Sequence, residues 1–439
     1  MSIVKPRVLM VVFEFPPSNG ASVQRILSVY RGFLDAGYIV DVLTAKPHAY
    51  SNVQPMSEDL MPENPHGQIV RTLAFDVTRH FSLFGKHWGA LIRPDRWGLT
   101  WQPSALRAGR RLIKKNKPDL IWSSAPTPSP HVIAAKLSSL SHAPWVADYR
   151  DPMPYVHRSP GTYSALDEIH QQIDRRVLRE AALLTFATRQ VMDAYLSLPG
   201  DHPLEPSRAM VMENGFDNHL LQKTRGHLKT NPQVSSPFRK DRISLYYAGA
   251  LYPDGRDPRP LFSALFNLKG AHAGPPLELV FQGAGDGSEF KEEIQTLGLE
   301  QDVHFLPAVP FAQSLQNMLQ SDILVLIQDA RFNQQIPGKL YEYLATGRPI
   351  LLKTPAHSAT AQLGCAYDGV RRGDDVLSLC QALRDTICEA HGNTEQLCYV
   401  RHVNEHTRES HVSRMIERVK ELLSHPKEDR VKHIEARSC

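Results

Sequence analysis

The chain has 439 residues, which is more than one ordinary domain of about 100–200 residues, so two or three domains are expected. Hydrophobic residues make up 42% and charged residues 22%, a balance that allows full cores and excludes a disordered polymer. Fifty basic and 46 acidic residues give a net charge of +4, which is too small to indicate a nucleic-acid partner by itself.

The start of the sequence lacks the pattern of a secretory signal, and no run of about eighteen apolar residues predicts a membrane-spanning helix. The five cysteines all lie in the last quarter of the chain and lack the CxxC spacing of a metal site. We therefore expect free thiols, a cytoplasmic location and no bound metal.

The first half of the chain alternates between predicted strands and helices. An apolar strand at 7–13, a helix from position 18 or 19 to Gly37, and a strand at 38–43 form a βαβ unit. Residues 46–118 are less regular. Further strands are predicted at 119–123, 145–148, 183–187 and 210–213, with helices at 130–139 and 166–182.

A polar, proline-containing stretch at 217–239 indicates a linker, and a second alternation follows it. Its strands are predicted at 243–248, 277–282, 304–306, 323–327 and 349–352, and its helices at 258–268, 337–346, 376–389 and 408–423. Strands separated by helices of about ten residues indicate parallel sheets covered on both faces. The predicted fold class is α/β, with two tandem Rossmann-like domains.

The predicted boundaries are residues 1–220 for the first domain, 221–241 for the linker, 242–400 for the second domain and 401–439 for a C-terminal helix and polar tail that close the fold. In open α/β sheets, ligands bind beyond the carboxyl ends of the strands. Two such domains facing each other leave a cleft at those ends, and we expect the site there.

The sequence QQIPGKLYEYLATG, from Gln334 to Gly347, contains the most informative candidate site. Pro337 suits a first helical turn, and Gly338 lets a ligand approach the backbone. The helix start and the charge of Lys339 together suit a phosphate, and Glu342 on the same face could accept hydrogen bonds from ribose hydroxyls. The alternative is an ordinary surface helix with a Lys/Glu pair.

Asp148, Arg150 and Asp151 follow a predicted strand of the first domain at its carboxyl end. Two carboxylates flanking an arginine there favour a site, in which Asp151 would face a substrate hydroxyl. Residues 71–115 combine aromatic and basic side chains, which leaves two interpretations open. One is a patch facing anionic membrane headgroups; the other is a partly buried excursion with a solvated basic face.

A family resemblance follows from the segment PGKLYEYLATGRP (337–349), which is similar to a motif of glycosyltransferase family 4. FEFPPSNGAS (13–22), ENGFD (213–217) and FQGAGDG (281–287) resemble other family segments, and the likeness runs in order over about residues 7–365. The resemblance implies the GT-B fold, a nucleotide-diphosphate sugar as donor, retention of anomeric configuration, and no cofactor or required metal.

The resemblance also implies roles for individual residues. Glu342 matches the second glutamate of the family motif, whereas Gln334 stands where the family has the first. Ala250 follows Gly249 where the family usually has arginine, so the cationic role is expected at Arg256. The expected catalytic residues are Asp151, Arg256 and Lys339; the expected donor-binding residues are Gly20, Gly249, Gly283, Gln334, Pro337, Gly338, Leu340 and Glu342; and the expected acceptor-side residues are Asp148 and Arg150.

The predicted function is transfer of a sugar from a nucleotide sugar to a glycan or lipid-linked acceptor in surface polysaccharide synthesis. Contact with the inner membrane surface is a further expectation. The absence of GxxxxGK[ST] argues against a P-loop NTPase, and the N-terminal loop lacks the GxGxxG of dehydrogenases. Two alternatives stay open: a GT-B-fold binding or assembly protein without transferase activity, supported by Gln334 and Ala250, and a nucleotide-sugar epimerase.

Overall fold

The structure is a computed structural model, and it describes residues 5–18, 21–51, 53, 61–81, 89–158, 162–199, 203–231, 233–251, 254–269, 274–392 and 403–424. The chain divides into two compact units. The first unit comprises Met1–Glu213 and His411–Cys439, and the second comprises Asn214–Ser410.

The first unit contains a parallel seven-stranded sheet in the order β3-β2-β1-β4-β5-β6-β7. Its strands are β1 (Arg7–Val11), β2 (Ile39–Ala45), β3 (Ile69–Thr72), β4 (Leu120–Ser124), β5 (Trp145–Tyr149), β6 (Leu183–Phe186) and β7 (Ala209–Val211). Its helices are α1 (Ala21–Asp35), α2 (Val77–His80), α3 (Gly98–Lys115), α4 (Ser129–Ser141), α5 (Ala165–Glu180) and α6 (Arg189–Leu196).

The second unit contains a parallel six-stranded sheet in the order β10-β9-β8-β11-β12-β13. Its strands are β8 (Ile243–Ala248), β9 (Leu277–Gln282), β10 (Val303–Leu306), β11 (Ile323–Ile327), β12 (Ile350–Lys353) and β13 (Val370–Gly373). Its helices are α7 (Asn218–Thr230), α8 (Arg259–Leu268), α9 (Lys291–Thr296), α10 (Phe311–Gln320), α11 (Gly338–Thr346), α12 (Ala359–Gly364) and α13 (Val376–Gly392), and α14 (Arg408–Ser424) follows.

Each sheet is buried on both faces, which explains the continuous apolar runs in the sequence. In β1, Leu9 and Val11 belong to one hydrophobic cluster, whereas Val8 and Met10 belong to another. The side chains of a strand alternate between its two faces, so the two clusters cover opposite sides of the sheet. The same alternation along β8 separates the two clusters of the second unit. The α/β fold with two Rossmann-like halves is confirmed.

Several elements differ from the expectation: α2, α9, α10, α12 and β13 had no predicted counterpart, and three others differ as follows. β3 and α3 lie within residues 46–118, which showed no regular pattern, and α3 continues through Pro103. The predicted linker 221–241 includes most of α7, which begins where Asp217 accepts a hydrogen bond from the Leu220 N–H (2.8 Å). Such an N-cap satisfies a free donor of the first turn and can start a helix in a polar sequence.

The last described helix, α14, belongs mostly to the first unit although it follows the second in sequence. Val412, Met415, Ile416 and Val419 are buried in the cluster that also contains the inner face of α1. A Cβ added to Gly32 of α1 would lie only 2.3 Å from Val412 Cγ1, so glycine permits this close approach. The polar tail was predicted from Ser424; Ser424 is the last residue of α14, and residues 425–439 lie outside the described residues.

Among the helices that the structure describes, none is long and apolar enough to cross a membrane.

Candidate functional site

The candidate donor residues of the second unit surround the start of α11. β8 and β11 are neighbours at the centre of the sheet, where the strand order reverses, and this switch point is where open α/β sheets bind ligands. α11 begins at Gly338, directly after Pro337. A Cβ built at Gly338 would meet no atom within 4 Å, so the first turn borders open space. The first N–H groups of a helix lack acceptors within it and favour an anion.

The Lys339 ammonium lies over the carboxyl end of β8. Its Nζ is 4.1 Å from the centre of the Tyr247 ring, and a Cβ added to Gly249 would lie 3.0 Å from it. Lys339 as a whole is half-buried, but its Nζ is shielded from solvent and has no hydrogen-bond acceptor in the described part of the chain. Burial and the charge of Arg256 lower the pKa of Lys339 well below its ordinary value, and the Glu342 carboxylate opposes this effect. The Lys339 amine is thus desolvated, and a bound anion would stabilise its protonated form.

Arg256 supplies the second cation at this edge of the sheet. Its Nη1 donates to the Ala250 carbonyl (3.1 Å), and its guanidinium lies 5.6 Å from the centre of the Phe332 ring. A Cβ at Gly255 would lie 2.3 Å from Phe332 Cε2, so a glycine lets the loop pack against that ring. The Arg256 guanidinium therefore lies at Ala250, the position at which the sequence resemblance led us to expect an arginine.

Glu342 is buried within α11 and is paired. Arg408 Nη2 donates to its Oε1 (3.2 Å). Burial raises the pKa of Glu342, although Arg408 and Lys339 both act to lower it. A cavity of about 10 Å³, which is room for about one water molecule, is lined in part by Glu342, Asp217 and Phe311. The carboxylate that was predicted to contact a ribose is thus paired with Arg408 in this structure.

The side chain of Gln328 holds the loop that carries Gln334. Gln328 Nε2 donates to the carbonyls of Phe332 (2.7 Å) and Gln335 (2.9 Å), and Thr360 Oγ1 donates to Gln328 Oε1 (2.9 Å). Two of the three hydrogen bonds fix backbone carbonyls on either side of Gln334. The half-buried Gln334 is thus held on a braced loop between β11 and α11.

The remaining predicted donor residues fall into three groups. Gly249 follows β8 and Gly283 follows β9, and both have a positive φ (102° and 76°). The two glycines lie side by side, because a Cβ added to Gly283 would lie 3.8 Å from the Gly249 Cα. Leu340 is a core residue with no exposed surface, so its side chain offers no atom to a donor. Gly20 lies outside the described residues.

In the first unit, Asp148 is completely buried at the end of β5. Arg25 donates to both of its oxygens (Nε 3.0 Å, Nη2 2.7 Å), and Ser124 (2.7 Å) and Thr185 (2.6 Å) donate as well. Burial alone would raise the pKa of Asp148, but the Arg25 charge and these hydrogen bonds outweigh it and lower the pKa. Asp148 was predicted to contact the acceptor, but none of its atoms is exposed. Its carboxylate instead positions Arg25.

Arg150 and Asp151 lie just beyond Asp148, and both are half-buried. The Arg150 Nε is shielded from solvent and has no acceptor among the residues described. Burial lowers the pKa of Arg150, Asp151 opposes this, and the neighbouring Arg25 adds to it. Glu14, which follows β1 and accepts a hydrogen bond from Ser22 Oγ, also acts on this arginine. The carboxyl edge of the first sheet therefore gathers charges of both signs.

Sequence reasoning missed four residues that shape these sites: Arg25, Gln328, Tyr343 and Arg408. Arg25 and Arg408 are buried arginines far from their partners in sequence, so no spacing could indicate the pairs. Tyr343 Oη accepts a hydrogen bond from the Ala248 N–H (3.1 Å) and so ties α11 to the end of β8. The only sequence feature that could have indicated Tyr343 is its place in the triplet Tyr341-Glu342-Tyr343 of the motif.

Residues 20–215 match the family model of the glycosyl transferase 4-like domain. No curated protein matches the sequence.

Several solved structures share the architecture over nearly the whole chain. Anabaena HepE in complex with UDP has a TM-score of 0.62 at 15% identity, over 94% of this chain and 99% of that one. Sucrose-phosphate synthase from Thermosynechococcus elongatus has a TM-score of 0.59 at 14% identity, over 95% and 99% of the two chains. A protein from Listeria monocytogenes assigned as a UDP-N-acetylglucosamine 2-epimerase has a TM-score of 0.58 at 11% identity, over 96% and 98%. The chain therefore has the GT-B fold.

Proposed function

We propose that this protein is a glycosyltransferase that takes its sugar from a nucleotide-diphosphate donor bound by the second unit. The observation that carries the proposal is the Lys339 ammonium, shielded from solvent beside Arg256 at the start of α11. A diphosphate would neutralise both cations and accept hydrogen bonds from the helix start. The match of residues 20–215 to a glycosyl transferase 4-like domain, and the UDP bound by HepE, support this choice of ligand.

The proposed chemistry is stabilisation of the leaving group. When the bond between the donor sugar and the diphosphate breaks, negative charge grows on the phosphate oxygens. Lys339, Arg256 and the N–H groups near Gly338 are fixed before the reaction, so they lower the barrier without reorganising. Removing one such donor typically slows an enzyme about 10²–10³-fold.

The rest of the donor would lie against the loop from Gln334 to Pro337 and the first turns of α11. Gln334 would hydrogen-bond a sugar hydroxyl without supplying charge. Glu342 would accept hydrogen bonds from the ribose once its pair with Arg408 rearranges, because Arg408 now donates to its Oε1.

On the first unit, we propose that Arg150 and Asp151 contact the acceptor and that Asp148 positions Arg25 behind them. The family resemblance further supports retention of anomeric configuration, activity without a metal, and a glycan or lipid-linked acceptor of a surface polysaccharide. Retention is read from the anomeric proton of the product by NMR, and metal dependence from activity after chelation.

The test is a thermal-shift screen with UDP, GDP, ADP and their sugars, on the wild type, Lys339→Met and Lys291→Met. Lys291 is an exposed lysine at the start of α9 and serves as the matched control. We expect one nucleotide series to raise the melting temperature of the wild type and of the control but not of Lys339→Met. Release of that nucleotide from its sugar only when an acceptor is added completes the case.

Two other outcomes would defeat the proposal. No stabilisation by any nucleotide would indicate a binding or assembly protein on the same fold. Conversion of one nucleotide sugar into another without an acceptor would indicate an epimerase, the activity assigned to the Listeria monocytogenes protein of the same fold.

A further inference from the structure

The outer face of α3 and α4 in the first unit forms an open groove with a volume of about 730 Å³. The inner face of α3 is buried through Trp101, Ala105 and Leu112, so its orientation is fixed. The two helices approach closely at Gly109, where a Cβ would lie 2.6 Å from Leu137 Cδ1. The groove is therefore a rigid feature of the first unit rather than a gap between loose segments.

One sign of charge dominates this surface. Arg107, Arg110, Arg111 and Lys114 line the groove, and all four are exposed. α3 and α4 together contain six lysines and arginines and no acidic residue, in a chain whose whole net charge is +4. None of the four lining cations has an ion-pair partner within the described ranges. Such a concentration of unpaired cations attracts an anionic surface.

Apolar side chains line the same groove. Leu106, Ile113 and Leu140 line it, and Leu140 is 52% exposed. At the start of α3, Leu99 is 53% exposed. Exposed leucines between cations suit a membrane surface, where anionic headgroups lie next to hydrocarbon chains. A nucleic acid would contact the cations through its phosphates but would leave the leucines in water.

We propose that the α3/α4 face docks on a bilayer of anionic phospholipid. The arginines and lysines would contact headgroup phosphates while Leu106, Ile113 and Leu140 enter the boundary of the acyl chains. With five cations in 18 residues, α3 can lie in the interface but cannot span it. The proposal does not depend on sugar transfer, because it concerns a surface of the first unit that needs no donor.

The experiment is co-sedimentation of the full chain with vesicles of phosphatidylcholine alone or of equal parts phosphatidylcholine and phosphatidylglycerol. We expect binding to the anionic vesicles only, weakened by added salt. Each cation near such a surface contributes about fivefold in affinity, so Arg110→Glu with Lys114→Glu should reduce binding at least about 25-fold. Leu140→Ser should reduce it about tenfold with every cation in place.

The control is the double variant Lys223→Glu with Lys229→Glu, which reverses two exposed charges on α7. It should retain vesicle binding, and circular dichroism should show all variants folded. Equal losses in the groove and control variants would overturn the proposal, as would unchanged binding after Leu140→Ser. Complete competition by soluble glycerol phosphate at the same phosphate concentration would also overturn it, because that would indicate a site for free phosphate.

Discussion

At the residue scale, Gly249 gives the sharpest test of how Lys339 is held. Its φ of 102° is costly for any residue with a side chain, and the new Cβ of Gly249→Ala would lie 3.0 Å from the ammonium. We expect a loss of about 1–2 kcal/mol in stability from the backbone. We also expect at least tenfold weaker binding of the stabilising nucleotide, measured by calorimetry, because the cation must move.

The matched control is Gly226→Ala on α7. A Cβ there would meet nothing within 4 Å, and the residue lies inside a helix. This change should raise stability by about 0.5–1 kcal/mol and leave nucleotide affinity unaltered. If both variants bind nucleotide like the wild type, Gly249 has no role in placing Lys339.

Asp174 predicts a pH dependence of the first unit. This buried carboxylate accepts hydrogen bonds from the hydroxyls of Tyr149 (2.6 Å), Tyr155 (2.9 Å) and Tyr195 (2.9 Å). Burial raises its pKa to about 6, although the three hydrogen bonds act to lower it. The folded state therefore holds the proton more tightly than the unfolded state, and the free energy of unfolding falls as pH rises from about 4 to about 6 and stays low above that range.

Replacing Asp174 by asparagine removes this titration. Between pH 5 and pH 7.5 the wild type should lose about 1–2 kcal/mol relative to Asp174→Asn, while all other groups titrate alike in both proteins. Urea midpoints from tryptophan fluorescence measure the difference, since all five tryptophans of the sequence lie in the first unit. Parallel pH profiles would show that Asp174 keeps an ordinary pKa.

At the scale of elements, Gln328 explains why the loop between β11 and α11 is ordered. In Gln328→Met, the carbonyls of Phe332 and Gln335 each lose a donor. Each carbonyl keeps one other donor, the Gln335 N–H for Phe332 (2.9 Å) and Thr360 Oγ1 for Gln335 (3.1 Å). The loss is therefore that of net hydrogen bonds, about 0.5–1.5 kcal/mol each, and the loop should loosen. We expect about tenfold weaker binding of the nucleotide sugar, with a smaller effect on the nucleotide alone, because Gln334 is proposed to hold the sugar. Gln362→Met, an exposed glutamine on α12, should change neither affinity.

The elements also show what sequence reasoning could and could not predict. β8, β9 and β11 match their predicted bounds because a strand buried on both faces leaves an uninterrupted apolar run. α3 was missed because Pro103 and its row of cations obscure the helical period. The motif around Lys339 was predictable from local spacing, whereas the pairs Arg25–Asp148 and Arg408–Glu342 join residues 123 and 66 positions apart. Local patterns carry no information about such partners.

At the scale of the whole molecule, α14 makes the stability of the first unit depend on the end of the chain. Met415 is completely buried against the cluster that contains the inner face of α1. Met415→Ala should cost about 2–5 kcal/mol, as large-to-small changes in a core do. Because two units need not unfold together, the effect should appear as a lower urea midpoint in tryptophan fluorescence, with the nucleotide-induced stabilisation of the second unit retained. The control Leu377→Ala, at a residue 82% exposed on α13, should leave that midpoint in place. An unchanged midpoint for Met415→Ala would mean that α14 does not support the first unit in solution.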